Sequence, residues 1–321
     1  MIKKLLEQWS RHLVILRGLS PVSVEKYSGI IVEFFDWYKK DRPGGLPSNV
    51  GRKDIECYLK YLFFIRKNTN MTRRTKITAL SMFWKFLVYE GISKEDVTAQ
   101  IPKPKVHKRF VQYFTQPEVL RFFRQVDIYS EKGIRDACIL ILFVFCGLRV
   151  GELCGLRLND VVDDGDYIDI QVPDDIGKQG SSRTVDLWKA PSVFIRQWVQ
   201  IRLSQGATGT SSLLVSYRKG GVCMGNPLIA TDISRLIKVL GEKAGIRKAR
   251  IHAHMFRATH GSDLRNIRGY DICAIADRLG HKNISTTDTY LPKRNRITKE
   301  YRSLREYWLE WESIWTGDDH G

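Results

Sequence analysis

Arg149, Lys178, His254, Arg257, His281 and Tyr290 are side chains that together could carry a phosphodiester from a nucleic-acid backbone onto protein. A phosphodiester is an anion, and displacement at phosphorus builds further charge on its nonbridging oxygens, so fixed cations are needed there. Arginine suits that task because its guanidinium is a planar fork of donors that stays charged. The candidates are Arg149, in Gly147-Leu-Arg-Val-Gly-Glu-Leu153, and Arg257, in His254-Met-Phe-Arg257. Glu152 follows Arg149 by one helical turn and is placed to hold its guanidinium. A tyrosine hydroxyl, with an ordinary pKa of about 10, attacks only with help from a base or an anion-stabilising field. Tyr290 is the candidate nucleophile, and His254, one turn before Arg257 on the same helix face, can be its base. His281, straight after the helix-stopping Gly280, can donate to a nonbridging oxygen. The sugar oxygen that departs leaves badly unless protonated, and Lys178, in the turn Gly177-Lys-Gln-Gly180, can bring it an ammonium. His252 and His260 fall outside the His-x-x-Arg spacing and are expected to be structural or exposed.

The elements that must position these groups are mostly helical. In the first 98 residues four apolar stripes hold helical period. They are Leu6, Trp9, Leu13 and Leu16; Val24, Tyr27, Ile31, Phe34 and Tyr38 after a Ser20-Pro21 start; Ile55, Tyr58, Leu59, Leu62 and Phe63; and Leu80, Phe83, Trp84, Leu87 and Val88. The aromatic side chains are expected in the core. Arg66, Lys67, Arg73, Arg74 and Lys76 lie off those stripes and form a candidate phosphate-contacting rim. Residues 99–111 hold two prolines among basic residues and read as a linker. Thr115 with Glu118 is a capping box opening the next helix. Beyond it a buried helix ends at Gly147, strands are expected over 167–172 and 183–187 with Lys178 between them, and helices over 193–203, 233–240, 255–264 and 272–279. Ser285 and Asp288 would cap a short helix carrying Tyr290 and stopped by Pro292. Ile297, Tyr301, Leu304, Trp308, Trp311 and Trp315 recur at spacings of four and three, an apolar seam that must be buried.

Composition narrows the partner. With 52 Lys plus Arg against 35 Asp plus Glu, the net charge of +17 points to a polyanion. Residues 1–110 hold 22 basic and 10 acidic side chains, a surplus of 12, so the N-terminal third is the expected electrostatic clamp. The six cysteines show neither Cys-x-x-Cys nor paired Cys/His spacing, so no metal site and no disulfide framework is expected, and the compartment reads as cytoplasmic. The start is unlike a signal peptide, and the longest apolar run, about ten residues, falls short of the roughly 20 that a membrane span needs.

The order and spacing of these pieces closely resemble the tyrosine recombinases, the site-specific DNA recombinases and integrases of phage, transposon and Xer type. Their acidic residue three positions after the first arginine matches Glu152, and their nine-residue step from histidine to tyrosine matches His281 to Tyr290. The resemblance implies a mainly α fold with a small β-sheet in the catalytic domain. It divides the chain into a helical, SAM-like core-DNA-binding domain (1–98), the linker, a catalytic domain (112–295) and a C-terminal helix exchanged between protomers (296–321). It further implies a 3′-phosphotyrosyl intermediate at Tyr290, no cofactor and no metal, and double-stranded DNA with inverted half-sites as partner. Four protomers would act on two sites through a Holliday junction, in the cytoplasm at the nucleoid. Xer-type members usually read His-x-Leu-Arg-His around the second arginine and an aromatic two positions on. Phe256, Ala258 and His260 depart from that pattern, which favours a mobile-element integrase or transposase over a chromosome or plasmid dimer resolvase. An additional arm-site domain ahead of the first helix is not expected. A type IB topoisomerase and a non-catalytic architectural DNA-binding protein are the remaining alternatives.

Overall fold

The structure, a computed structural model, describes residues 2–43, 45–106, 111–176, 182–218, 221–247, 251–266 and 269–281. Lys178, Tyr290 and the seam from Ile297 to Trp315 lie outside the described residues. The chain divides into two compact units, Met1–Lys108 and Arg109–Gly321. None of the described helices is long and apolar enough to cross a membrane.

The first unit is built from helices α1 (Ile2–Arg17), α2 (Pro21–Asp41), α3 (Arg52–Phe64) and α4 (Asn70–Tyr89). Pro21 opens α2, where a missing N–H costs nothing. Thr69 caps α4 by accepting from the Thr72 amide at 3.2 Å. Trp9, Phe34, Phe35, Tyr58, Phe83 and Trp84 are buried together, so the aromatic stripes are core except at Phe63, which is 48% exposed because α3 turns Ile55, Tyr58 and Leu62 inward and Phe63 falls off that face. Their rings meet edge to face, as at Trp9–Phe83 and Phe34–Trp84, with centroids 5.2 and 5.6 Å apart. The stripe of α1 differs from the expected one: Leu5, Trp9 and Leu13 are buried, at a spacing of four, while Leu16 is 61% exposed.

In the second unit, α5 (Gln116–Phe123) starts at Thr115, whose amide donates to Glu118 at 2.8 Å. Next comes α6 (Glu131–Phe145), buried from Gly133 to its end and therefore apolar on nearly all sides. The short α7 (Val150–Gly155) leads into an antiparallel sheet of β1 (Val161–Asp163), β2 (Tyr167–Val172) and β3 (Arg183–Trp188), in that order. Ile168 opposite Leu187 and Ile170 opposite Val185 supply its inner face. There follow α8 (Lys189–Ser204), a hairpin of β4 (Val215–Tyr217) and β5 (Cys223–Pro227), α9 (Ala230–Lys243), α10 (His254–Asn266) and α11 (Ile272–Leu279). Both α8 and α10 lie against α6, so the central helix is the axis of the unit.

Candidate active site

Each side chain of the site sits where a helix begins or ends. The αL conformation of Gly147 (φ +61°) turns the chain sharply after α6, and a Cβ there would lie 2.6 Å from the His260 ring. Two residues later Arg149 occupies the N-cap of α7, and its amide donates to Glu152 Oε2 at 2.8 Å. Arg149 Nη1 donates to Glu152 Oε1 at 2.6 Å and Nη2 to the Gly280 carbonyl at 2.8 Å.

Arg257, one turn into α10, is fully buried; Nη1 donates to the Gly147 carbonyl at 2.6 Å and Nη2 to the Leu279 carbonyl. Both arginines thus grip the turn that follows α11. That turn is made by Gly280 in the αL conformation (φ +60°), with the His281 amide donating back to the Ala276 carbonyl at 2.8 Å. His281 is half-buried. Burial, then the nearby charges of Arg257, Arg149, His254 and Arg183, push its imidazole down to about 3, so at neutral pH it is uncharged with one N–H to donate. His254 is exposed at the head of α10, one turn before Arg257.

Arg149, His254, Arg257, His281 and Glu152 therefore converge from separate segments of the chain. His252 is exposed, and His260 is buried with Nδ1 2.9 Å from the Val144 carbonyl oxygen, a structural residue beneath Gly147. The departures around Arg257 have a packing explanation. Phe256 fills a cluster with Phe114 and Phe122, centroids 4.5 and 5.0 Å away, and Ala258 is buried.

Arg183 was not among the expected site residues. It opens β3 and donates from Nη2 and Nη1 to the two oxygens of Glu152 at 2.8 and 3.1 Å, and from Nε to the Arg278 carbonyl at 2.9 Å. A signal existed: Arg183 shares the inward register of the strand with Val185 and Leu187. Burial would raise the Glu152 carboxyl, but the Arg183 and Arg149 partners more than offset it and hold it down at about 2.

In the first unit Arg66, Lys67 and Arg74 are exposed, and Lys67 is the single non-glycine with positive φ (48°) among the described residues. Arg73 is half-buried with its guanidinium over the Phe63 ring, 4.6 Å from the centroid. Lys76 does not belong to that rim. It is buried, with Nζ 2.5 and 2.6 Å from the two oxygens of Glu33, because its position on α4 faces α2. Among the described residues no three His, Cys, Asp or Glu side chains cluster as a metal site would.

Known proteins resemble the chain over most of its length. Residues 112–296 match the phage integrase family and residues 5–94 the N-terminal SAM-like domain of phage integrases. A tyrosine recombinase of Pseudothermotoga lettingae is 29% identical over 297 residues, covering 90% of this chain and 94% of its own. Tyrosine recombinase XerC of Bacillus subtilis is 28% identical, covering 90% and 91%. Among solved structures, lambda integrase (residues 75–356), as a dimer bound to a core site, superposes with a TM-score of 0.68 at 17% identity, covering 94% of this chain and 98% of that one. XerH site-specific recombinase, in a post-cleavage complex with its palindromic difH substrate, gives 0.68 at 16% identity, covering 94% and 82%. The chain belongs to the phage integrase family, the tyrosine recombinases, enzymes that cleave and rejoin DNA through a tyrosine intermediate.

Proposed function

We propose that this protein is a site-specific recombinase in which Tyr290 is the nucleophile. The observation that carries the reading is the convergence of Arg149, Arg257, His254 and His281 on one place. Arg149 and Arg257 offset charge on the nonbridging oxygens, and His281 donates a hydrogen bond to one of them. His254 accepts the tyrosine proton as the Oη–P bond forms. The bond from phosphorus to the 5′ oxygen breaks, and Lys178 protonates that oxygen. The product is a 3′-phosphotyrosyl link and a free 5′ hydroxyl, which attacks the partner strand's link and regenerates the tyrosine. Removing one preorganised donor such as Arg149 should cost about 10²–10³ in rate.

Four protomers on two DNA sites with inverted half-sites, exchanging strands through a Holliday junction, complete the proposal, with residues 296–321 joining neighbours through their apolar seam. Its setting would be the cytoplasm. For biological role, relatives named XerC that match over nine-tenths of the chain favour dimer resolution over mobile-element integration. The variation at Phe256, Ala258 and His260 that pointed toward a mobile element is met by local packing.

The test uses a nicked duplex carrying an inverted-repeat site selected from random DNA by the wild-type protein. Wild type should trap a protease-sensitive, SDS-resistant adduct, whereas Tyr290→Phe should bind with unchanged affinity and form none. An adduct of undiminished yield in the variant removes Tyr290 from the reaction.

A further inference from the structure

We infer that Arg183 is a positioning residue that keeps the charge of Arg149 available to the scissile phosphate. The inference rests on the proposed role of Arg149 as a phosphate clamp. Glu152 is 1% exposed and stands between two guanidinium groups. Arg183 takes both of its oxygens in a parallel pair of bonds at 2.8 and 3.1 Å, the geometry that best satisfies a buried carboxylate. Arg149 makes one side-chain bond to Glu152 and turns its other terminal nitrogen to the Gly280 carbonyl.

Two guanidinium groups around one carboxylate leave one positive charge, and Arg149 is the more exposed of the two, with 21% of its side chain accessible against 7% for Arg183. Without Arg183 the carboxylate has a single cation to satisfy it. It would draw Arg149 into a closed neutral pair, and the field at a bound phosphate would fall. The same side chain supports the turn that holds the site together. Its Nε binds the Arg278 carbonyl, and it lies so close beneath Gly280 that a Cβ there would be 2.9 Å from Nη1. Arg183 also begins β3, the strand reached through the connection that carries Lys178, so one guanidinium ties that hairpin to α7 and α11.

The test compares adduct formation on the selected nicked duplex with that on the same duplex carrying a methylphosphonate at the scissile position. The methylphosphonate is uncharged and depends less on fixed cations. Arg183→Met should lose roughly 10²-fold on the phosphodiester and much less on the methylphosphonate, since a misplaced clamp costs about that much. Arg183→Lys, which keeps the charge, should recover part of the loss. The double variant Arg183→Met/Glu152→Gln, which also removes the stranded carboxylate, should bring the ratio of the two rates back toward wild type. Equal losses on both substrates in Arg183→Met would overturn the inference, because a merely structural defect lowers both alike. If Arg183→Met does not fold, the double variant decides, and a collapsed ratio there overturns the inference too. Arg149→Met is the reference: if it shows no selective loss on the phosphodiester, the clamp reading itself fails, whereas selectivity in Arg149→Met without it in Arg183→Met rejects this inference alone.

Discussion

His281 is a half-buried imidazole facing Arg257, Arg149, His254 and Arg183, and burial together with those charges pushes its pKa down to about 3 from the ordinary 6.5. Below 6.5 the unfolded chain takes up a proton at this residue that the folded chain refuses, so acid favours unfolding. The contribution is present above pH 6.5 and is lost progressively as the pH falls toward 3. Glu152 acts in a lower window. Its carboxyl is held at about 2 from 4.5, so its contribution is present above 4.5 and lost as the pH falls toward 2. Denaturant titrations of wild type should therefore lose stability between pH 6.5 and 4.5. His281→Asn should flatten that limb while leaving the steeper fall below 4.5. A variant with the wild-type slope between 6.5 and 4.5 would mean that His281 is not the residue excluded from protonation. Side-chain type and spacing make His254, Arg257, Arg149 and Glu152 legible in the sequence. For Arg183 the alternation with Val185 and Leu187 announces only an inward side chain; its pairing with Glu152, 31 residues back in the chain, has no local spacing to reveal it.

At the scale of elements, the site depends on two left-handed turns, at Gly147 and Gly280. Gly147 ends α6 and aims Arg149, and it is flanked by groups that cannot retreat, His260 and Leu279 being 2.6 and 3.0 Å from where a Cβ would be. Gly147→Ala combines the αL penalty, about 1–2 kcal/mol, with overpacking of about 1–3 kcal/mol. An unfolding midpoint lower by about 5–15 °C is expected, using the roughly 2–4 °C per kcal/mol of a domain this size. Adding His260→Ala should recover part of that fall, and a single variant as stable as wild type would show that the ring is not the obstacle. Helix period makes most elements readable: 272–279 reads as a helix and is α11, and 167–172 reads as a strand and is β2. The hairpin of β4 and β5 does not announce itself, since β5 reads Cys-Met-Gly-Asn-Pro, with Gly225 at positive φ and no alternation of apolar side chains. In α1 the chain offers Leu5, Leu6 and Leu16 as neighbours of Trp9 and Leu13, and tertiary contacts rather than period choose Leu5.

Over the whole molecule, the surplus of positive charge is concentrated in residues 1–110, yet formal charge does not say which side chains face solvent. The structure separates them. Arg66, Lys67 and Arg74 are exposed, whereas Lys76 is engaged by Glu33 inside the first unit. Neutralising a phosphate releases condensed counterions, so each such pairing steepens the fall of affinity with salt by about 0.9 in logarithmic slope. Replacing Arg66, Lys67 and Arg74 together by Gln in the full-length chain should therefore flatten the salt dependence of duplex binding by roughly one unit for each phosphate no longer neutralised. The weakening should be similar on selected and unrelated sequences, because phosphate pairing carries no base information. Lys76→Gln should leave the slope unchanged but lower stability by about 1 kcal/mol, since it removes an ion pair whose Glu33 carboxylate is still partly open to water. Titrations of the two variants between low and moderate salt, read beside their unfolding curves, distinguish a binding rim from a buried ion pair. If the triple variant keeps the wild-type slope, the DNA phosphates are met elsewhere; if Lys76→Gln flattens it, the buried placement of that lysine does not hold in solution.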